Sequence, residues 1–593
     1  MNRAASPDIG IPRGVKGRGG RLRVSSACRV SFPRLSKRMA PTLTPTGPPP
    51  TSPANLTFTI ASYVCAVITL VGFAAIALTM SRRHQSRDVD TFLTARASQP
   101  MLRVAWSFFA SSIGAWAIFL PASYPAFGGW LSIITYAVST GLPLLLISEF
   151  GRKILKRTPD VLSLNDFAHR AYGRPVQVFV IVLSLLNMSV ALISEYTAIG
   201  DLFEHYVGGP SRIYIIILVG LVTAVYTAKG GLLISLLTDQ LQAALILVLI
   251  LIASLYLVVN FREPLRQPLP ERLGINYSGF SSIFSLPISL LSSACYQESF
   301  WQRVWAAEDK RSLRQGALLG FMLTTLVIGF FGTVGWVGLW ADLPPLDDHN
   351  NLAFFVPFSD PVTGRNAGAL VMRVLLVVLS TTMNESAVDS LQNAIVSTLS
   401  SSLLVDRPVS WSRALVFVVN APIVVIALQS YALLDLFLAM NIITATSTFP
   451  LLSALWLPRV SGPTVLFSSA VSLICTCLVG VITEGQGVAK GLKWTFTSQL
   501  NEYDWRIFLV AALTSVCCTF GLWFVVDTRG LGFTVAAPEL NGDLGNNLGP
   551  DVHPPLLARC GCWPILSASS IGGASGSGGK RDQKGGKLLG CSG

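Results

Sequence analysis

With 593 residues, 51% of them hydrophobic and only 13% charged, and a mean hydropathy of +0.56, the chain is too apolar for a soluble protein of its length. It reads as an all-α polytopic membrane protein. The net charge of +13 would suggest a nucleic-acid partner, but residues 1–38 hold ten Lys or Arg against Asp8 alone, so +9 of that charge sits in the leader and no nucleic acid is implied. Zinc spacings, phosphate-binding Gly-rich loops, nucleophile elbows and long soluble segments are all absent from the sequence, which disfavours an enzyme and gives no cofactor to bind.

In chain order, residues 1–58 are a basic and then Pro/Thr-rich extension expected to be disordered. The Arg-rich, acid-poor leader reads either as a transit peptide or as an extension upstream of translation from Met39. A spanning helix needs about 20 apolar residues. Thirteen such runs follow, near 60–80, 104–122, 130–149, 177–200, 212–228, 232–258, 280–299, 314–340, 367–401, 411–428, 431–456, 461–484 and 504–527. Residues 59–103 thus hold a first helix and its loop, 461–527 two peripheral helices, and 528–593 a Gly/Ser-rich tail expected to be disordered. Arg82, Arg83, Arg87, Arg96 and Arg103 in one loop, and Arg152, Lys153, Lys156, Arg157, Arg170 and Arg174 in another, should face the cytoplasm. This places the N-terminus outside and the C-terminus inside, with the sequons at Asn55 and Asn276 on the outer face. The cysteines in or near the spans read as packing residues, and Cys560, Cys562 and Cys591 lie in the tail.

Two spans are expected to be interrupted. Residues 104–129 place Ala110, Ser111, Ser112, Gly114 and Ala115 in mid-span before Pro121, and FSSIFSLPISLLSSA carries Pro287 five helices downstream. Such a pair suggests inverted five-helix repeats with a site where the breaks meet, although Gly and Pro are also common in ordinary membrane helices. The run VLLVVLSTTMNESAVDSLQNAIVS, residues 374–397, then places Thr382, Ser386, Asp389 and Asn393 on one stripe with Glu385 beside it. Either the membrane ends near Thr382 and the stripe is wetted, or the stripe faces protein. The hydroxyls of Ser380 and Thr381 are suited to a small cation and equally to bonding their own helix.

Several motifs in order resemble the sodium:solute symporter family over about residues 60–460. DVDTFLTAR, VYTAKGGLLISLLTDQLQ and YQESFWQRVWAAEDKRSLRQG each resemble a family signature, with Thr94 and Ala95 departing from the first. The resemblance implies a 5+5 inverted-repeat (LeuT-like) core, with 104–258 and 280–456 as the repeats. It implies a cation site formed by the carbonyls of Ala110, Ile113 and Val377 and the hydroxyls of Ser380 and Thr381, holding Na+ or H+ as the coupling ion.

The Ser-Thr pair followed by Glu385 resembles the urea-active branch, whose members carry urea and sometimes polyamines. The expected partners are therefore a small solute, urea first, and a monovalent cation, within a bilayer, most plausibly the plasma membrane. Trp116, Ala117, Glu195, Glu385, Asp389, Asn441 and Thr444 are candidates for the solute or ion path, each with packing as the plainer role. Another solute such as an amino acid, vitamin or polyamine, or a sensor or channel on the same scaffold, is the alternative.

Overall fold

Lipid offers the backbone no hydrogen-bond partner, so long apolar runs satisfy themselves as helices. A computed structural model describes residues 53–83 and 95–528, apart from 159–160, 162, 348–349, 365, 404–407, 430–432 and 486. Its principal helices are α1 (Pro53–Arg83), α2 (Met101–Ser112), α3 (Trp116–Ser123), α4 (Pro125–Arg157), α5 (Leu164–Tyr172), α6 (Arg174–Asp201), α7 (Arg212–Asn260), α8 (Tyr277–Cys295), α9 (Glu298–Ala306), α10 (Lys310–Trp340), α11 (Ala367–Leu403), α12 (Val409–Ala427), α13 (Leu433–Leu452), α14 (Gly462–Glu484) and α15 (Trp505–Leu522). The leader, most of the DVDTFLTAR motif and the tail with its cysteines lie outside the described residues, as does the side chain of Asn55. The first helix begins at Pro53, inside the expected extension, because a proline in the first turn gives up only an N–H that would have no helical partner.

Among the described residues, eleven helices are long and apolar enough to cross a membrane, and the pair α2/α3, bent by 61°, brings the number to twelve if it is counted as one span. The thirteenth is hidden in α7. Its 49 residues would run for about 73 Å as one straight helix, more than twice a hydrocarbon core of about 30 Å. Gly231, at φ 63 and ψ −168, breaks it into two halves. Near the start of α7, Thr59 bonds the Val207 carbonyl, and at the break Ser81 bonds the Lys229 carbonyl, so the first half runs parallel to α1. Just past its far end the chain meets the end of α10, where the Trp340 indole donates to the Arg266 carbonyl. The two expected spans at 212–228 and 232–258 are these halves.

The exposed apolar residues Leu56, Ile60, Val64, Ile68 and Val71 form one stripe on α1, as a lipid-facing helix requires. The opposite pattern marks α11, where Thr382, Asn384, Glu385 and Ser386 are fully buried. The polar stripe therefore faces protein, and the wetted alternative does not hold.

The second interruption falls elsewhere than expected. Pro287 is carried within α8, and the chain breaks instead at Tyr296 and Gln297, ahead of α9. At the Asn276 sequon the side-chain amide donates to the carbonyls of Phe127 and Arg272 while its oxygen accepts from Gly279 N, so it caps α8 with both amide hydrogens engaged. Between α14 and α15 an unanticipated short helix, Val488–Thr495, crosses the loop.

A side chain at Gly231 would have to adopt backbone angles that only glycine takes without strain. Gly231→Ala is expected to destabilise the protein by about 1–3 kcal/mol, read as a lower unfolding temperature in detergent.

Candidate functional site

The site is built on the gap between α2 and α3. Ile113 leaves the helix with extended angles, φ −121 and ψ 96, and Trp116 opens the next helix. A broken helix exposes carbonyls at one end and N–H groups at the other. Glu195 of α6, fully buried, supplies what the N–H end needs: its Oε2 accepts from Ala115 N at 2.8 Å and from Asn384 Nδ2 at 2.9 Å. The same Asn384 amide also donates to the Glu195 backbone carbonyl at 2.8 Å. Gly114 makes this approach possible, since a Cβ there would lie 1.9 Å from Glu195 Oε1 and 2.7 Å from Ala387 Cβ. Oε1 itself has no hydrogen-bond partner among the described residues.

Against this junction lies a cavity of about 70 Å³, room for several water molecules. Ser111, Ser112 and Trp116 line it from the first break, Gln297 from the second, Glu195 from α6 and Phe437 and Asn441 from α13. The Trp116 and Phe437 rings meet at 6.0 Å between centroids. Leu120, Tyr136, Leu286 and Tyr503 extend the lining away from the break. They lead toward the face where Asn276 and the N-terminus of α8 lie.

The other side of the junction is filled by a buried ion pair. Arg303 Nη2 donates to Asp239 Oδ2 at 3.1 Å and to Ser390 Oγ at 2.8 Å, and both charged side chains are fully buried. Arg303 Nε donates to Ser107 Oγ at 3.0 Å, and Ser107 and Ser386 donate to Asp239 at 2.7 and 3.1 Å. Four elements, α2, α7, α9 and α11, are thereby tied at one point. A guanidinium suits the position because its planar fork serves several acceptors at once.

The expected site residues divide into groups. Ala110, Ile113, Val377, Ser380 and Thr381 are all buried beside the break or on α11. Ser380 and Thr381 donate to the carbonyls of Leu376 and Val377 at 2.9 and 2.8 Å, which leaves their oxygen lone pairs for another ligand. Ala110 and α11 do meet, because Ser386 Oγ lies 3.5 Å from the Ala110 carbonyl. Trp116, Glu195 and Asn441 line the cavity.

The remaining candidates are placed outside its lining. Ala117 is packed in α3, and Thr444 bonds the Met440 and Asn441 carbonyls of its own helix. Asp389 accepts from the Thr227 hydroxyl and from Asn393, whereas Glu385 is buried near the Tyr226 hydroxyl.

Sequence reasoning assigned no role to Asn384, Asp239, Arg303, Gln297 or the aromatic wall formed by Tyr136, Phe437 and Tyr503. Asp239, Gln297 and Arg303 stand within the quoted motifs TDQLQ and YQESFWQRVW, which was the one available signal. Tyr503 gave none, since it comes from the loop before a peripheral helix.

The sequence profile of the sodium:solute symporter family matches residues 92–404, more than half of the chain. A spermidine transporter of Candida albicans is 24% identical over 457 residues, covering 76% of this chain and 84% of that protein. A Na+-coupled sialic acid symporter in a substrate-bound outward-open state shares the fold with a TM-score of 0.59 at 12% identity, over 78% of this chain and 98% of that one. A nucleobase-cation-symport-1 family transporter in a closed conformation with bromovinylhydantoin bound does so at 0.52 and 15% identity, over 75% and 96%.

Removing one partner of a buried ion pair strands the other charge. Arg303→Met is expected to cost about 3–5 kcal/mol, seen as loss of monodisperse protein after solubilisation, and the double change Arg303→Met with Asp239→Leu should recover part of that yield.

Proposed function

Because the chain belongs to the sodium:solute symporter family, we propose that the junction at Glu195 is where this cation-coupled symporter holds a small solute rich in N–H donors. The observation that carries the reading is that Glu195, whose buried Oε1 accepts no hydrogen bond among the described residues, lines an aromatic-walled cavity. A buried carboxylate is costly unless something neutralises or bonds it. A protonated amine does both, and an aromatic wall adds favourable contact with a cation's face. An amine of a polyamine is therefore the best fit, a reading supported by the similarity to a spermidine transporter. Urea, favoured by the Ser380-Thr381-Glu385 pattern, is the second reading, because a cavity of about 70 Å³ suits a cargo of few atoms.

The coupling cation in this reading is sodium, held by the carbonyls of Ala110, Ile113 and Val377 and the hydroxyls of Ser380 and Thr381. Neutral oxygens at a helix break are the ligands a small hard cation takes inside a membrane. Binding of the ion ties the first broken helix to α11. Cargo then meets a completed site, the cavity closes, and rocking of the core opens the opposite face, where the Arg303–Asp239 cluster must part. The Lys and Arg bias supports an N-terminus outside and a cytoplasmic C-terminus, and uptake of a solute is the task of a plasma-membrane transporter.

The test is uptake of labelled spermidine and labelled urea into transport-deficient cells expressing the full chain, with sodium present or replaced and external pH varied. Sodium-dependent accumulation of spermidine against its gradient is expected. Ser380→Ala with Thr381→Ala should raise the half-saturating sodium concentration by about ten-fold, the scale of a lost charge-assisted contact. Accumulation that follows pH instead of sodium would reassign the ion, and uptake of urea alone would reassign the cargo.

A further inference from the structure

We infer that Asn384 is the positioning residue that couples cation binding to cargo binding, by holding the Glu195 carboxylate from the helix that carries the cation ligands. The inference rests on the proposed roles of Glu195 and of the Ser380-Thr381 pair. It goes beyond them by naming the physical link between the two sites.

Three observations converge on this residue. Asn384 is fully buried, and its amide nitrogen donates to Glu195 twice, at 2.8 Å to the backbone carbonyl and at 2.9 Å to Oε2. Its own Oδ1 has no hydrogen-bond partner among the described residues, so the hydrogen bonds of this side chain all go to Glu195. On α11 it follows Ser380 by four residues and Thr381 by three, which puts all three on one helical face. A displacement of that face is passed directly to the amide.

The second end of the link is the broken helix. Glu195 Oε2 also accepts from Ala115 N at 2.8 Å, across the gap from the carbonyls of Ala110 and Ile113. The carboxylate is thus clamped by both elements that the cation joins. With the cation bound, α11 and the break are fixed relative to each other and both donors reach Oε2, which leaves Oε1 as the oxygen still without a hydrogen bond. Without it, the two donors are free to separate and the carboxylate loses its fixed direction. Gly114 makes the device rigid, because with no Cβ it lets Glu195 sit against the backbone and admits no larger residue.

Linkage makes the consequence measurable: the factor by which sodium tightens cargo must equal the factor by which cargo tightens sodium. Couplings of this kind amount to roughly 5–150-fold. The experiment is equilibrium binding of labelled spermidine to the purified full-length protein, with and without saturating sodium, in wild type, Asn384→Ala and Glu195→Gln. The wild type should show the sodium-induced gain, and in Asn384→Ala that gain should fall to within about two-fold of unity.

If Asn384→Ala does not fold, Asn384→Ser keeps a polar side chain but is too short to reach Oε2, and the same loss of gain is expected. An unchanged gain, or an equal loss of affinity with and without sodium, would overturn the inference and leave Asn384 a packing residue. Failure of the underlying reading shows separately: spermidine affinity unaltered in Glu195→Gln would remove Glu195 from the cargo site whatever Asn384 does.

Discussion

A carboxylate placed at the exposed N–H end of a broken helix is the contact on which the rest of this molecule depends. A helix interrupted inside a membrane leaves polar backbone that neither lipid nor an apolar neighbour can satisfy. Glu195 answers the N–H side of the gap and Asn384 fixes Glu195 in turn. The carbonyl side of the same gap is where the proposed cation site lies. One backbone interruption thus creates a demand for negative charge at one end and positive charge at the other, a few ångströms apart. The proposed cargo and ion sites are adjacent for that reason.

Burying this much polarity is tolerable only where partners are complete. At the Arg303–Asp239 cluster they are: one guanidinium serves an aspartate, two hydroxyls and a carbonyl, and the aspartate accepts from two serines as well. The pair buys little net stability over apolar packing, but it ties four helices in one arrangement. Glu195 contrasts with it, because one oxygen is held by two donors and the other, buried against Gly114, accepts no hydrogen bond among the described residues. Completeness on one side of the junction and an open valence on the other is what a device that binds on one face and releases on the opposite face requires.

The spans were legible because lipid imposes length and apolarity together, and even the pair fused at Gly231 was separable by its Lys-Gly-Gly interruption. The first break was legible as well, in Ser111, Ser112 and Gly114. The second was misplaced because Pro287 is a strong breaker in sequence yet needs only one absent hydrogen bond within α8, while the real interruption at Tyr296 and Gln297 carries no Gly or Pro. The stripe on α11 was visible as a stripe, but whether it met water or protein depended on helices far away in the chain. Asn384 was passed over for the carboxylates around it, since nothing in the sequence says that residue 195 lies opposite. Thr444 and Ala117 show the converse: suitable residue types on the expected helices, turned to their own backbone or into packing.

The account stands or falls on what Glu195 Oε1 touches when cargo is bound. A cryo-electron microscopy structure of the full-length protein in sodium and spermidine would measure this directly. An amine nitrogen about 2.7–2.9 Å from Oε1, the length of a charge-assisted bond, with the Trp116 and Phe437 rings beside it, is the result expected. Spermidine bound elsewhere, with Oε1 facing empty space or a second protein donor, would contradict it.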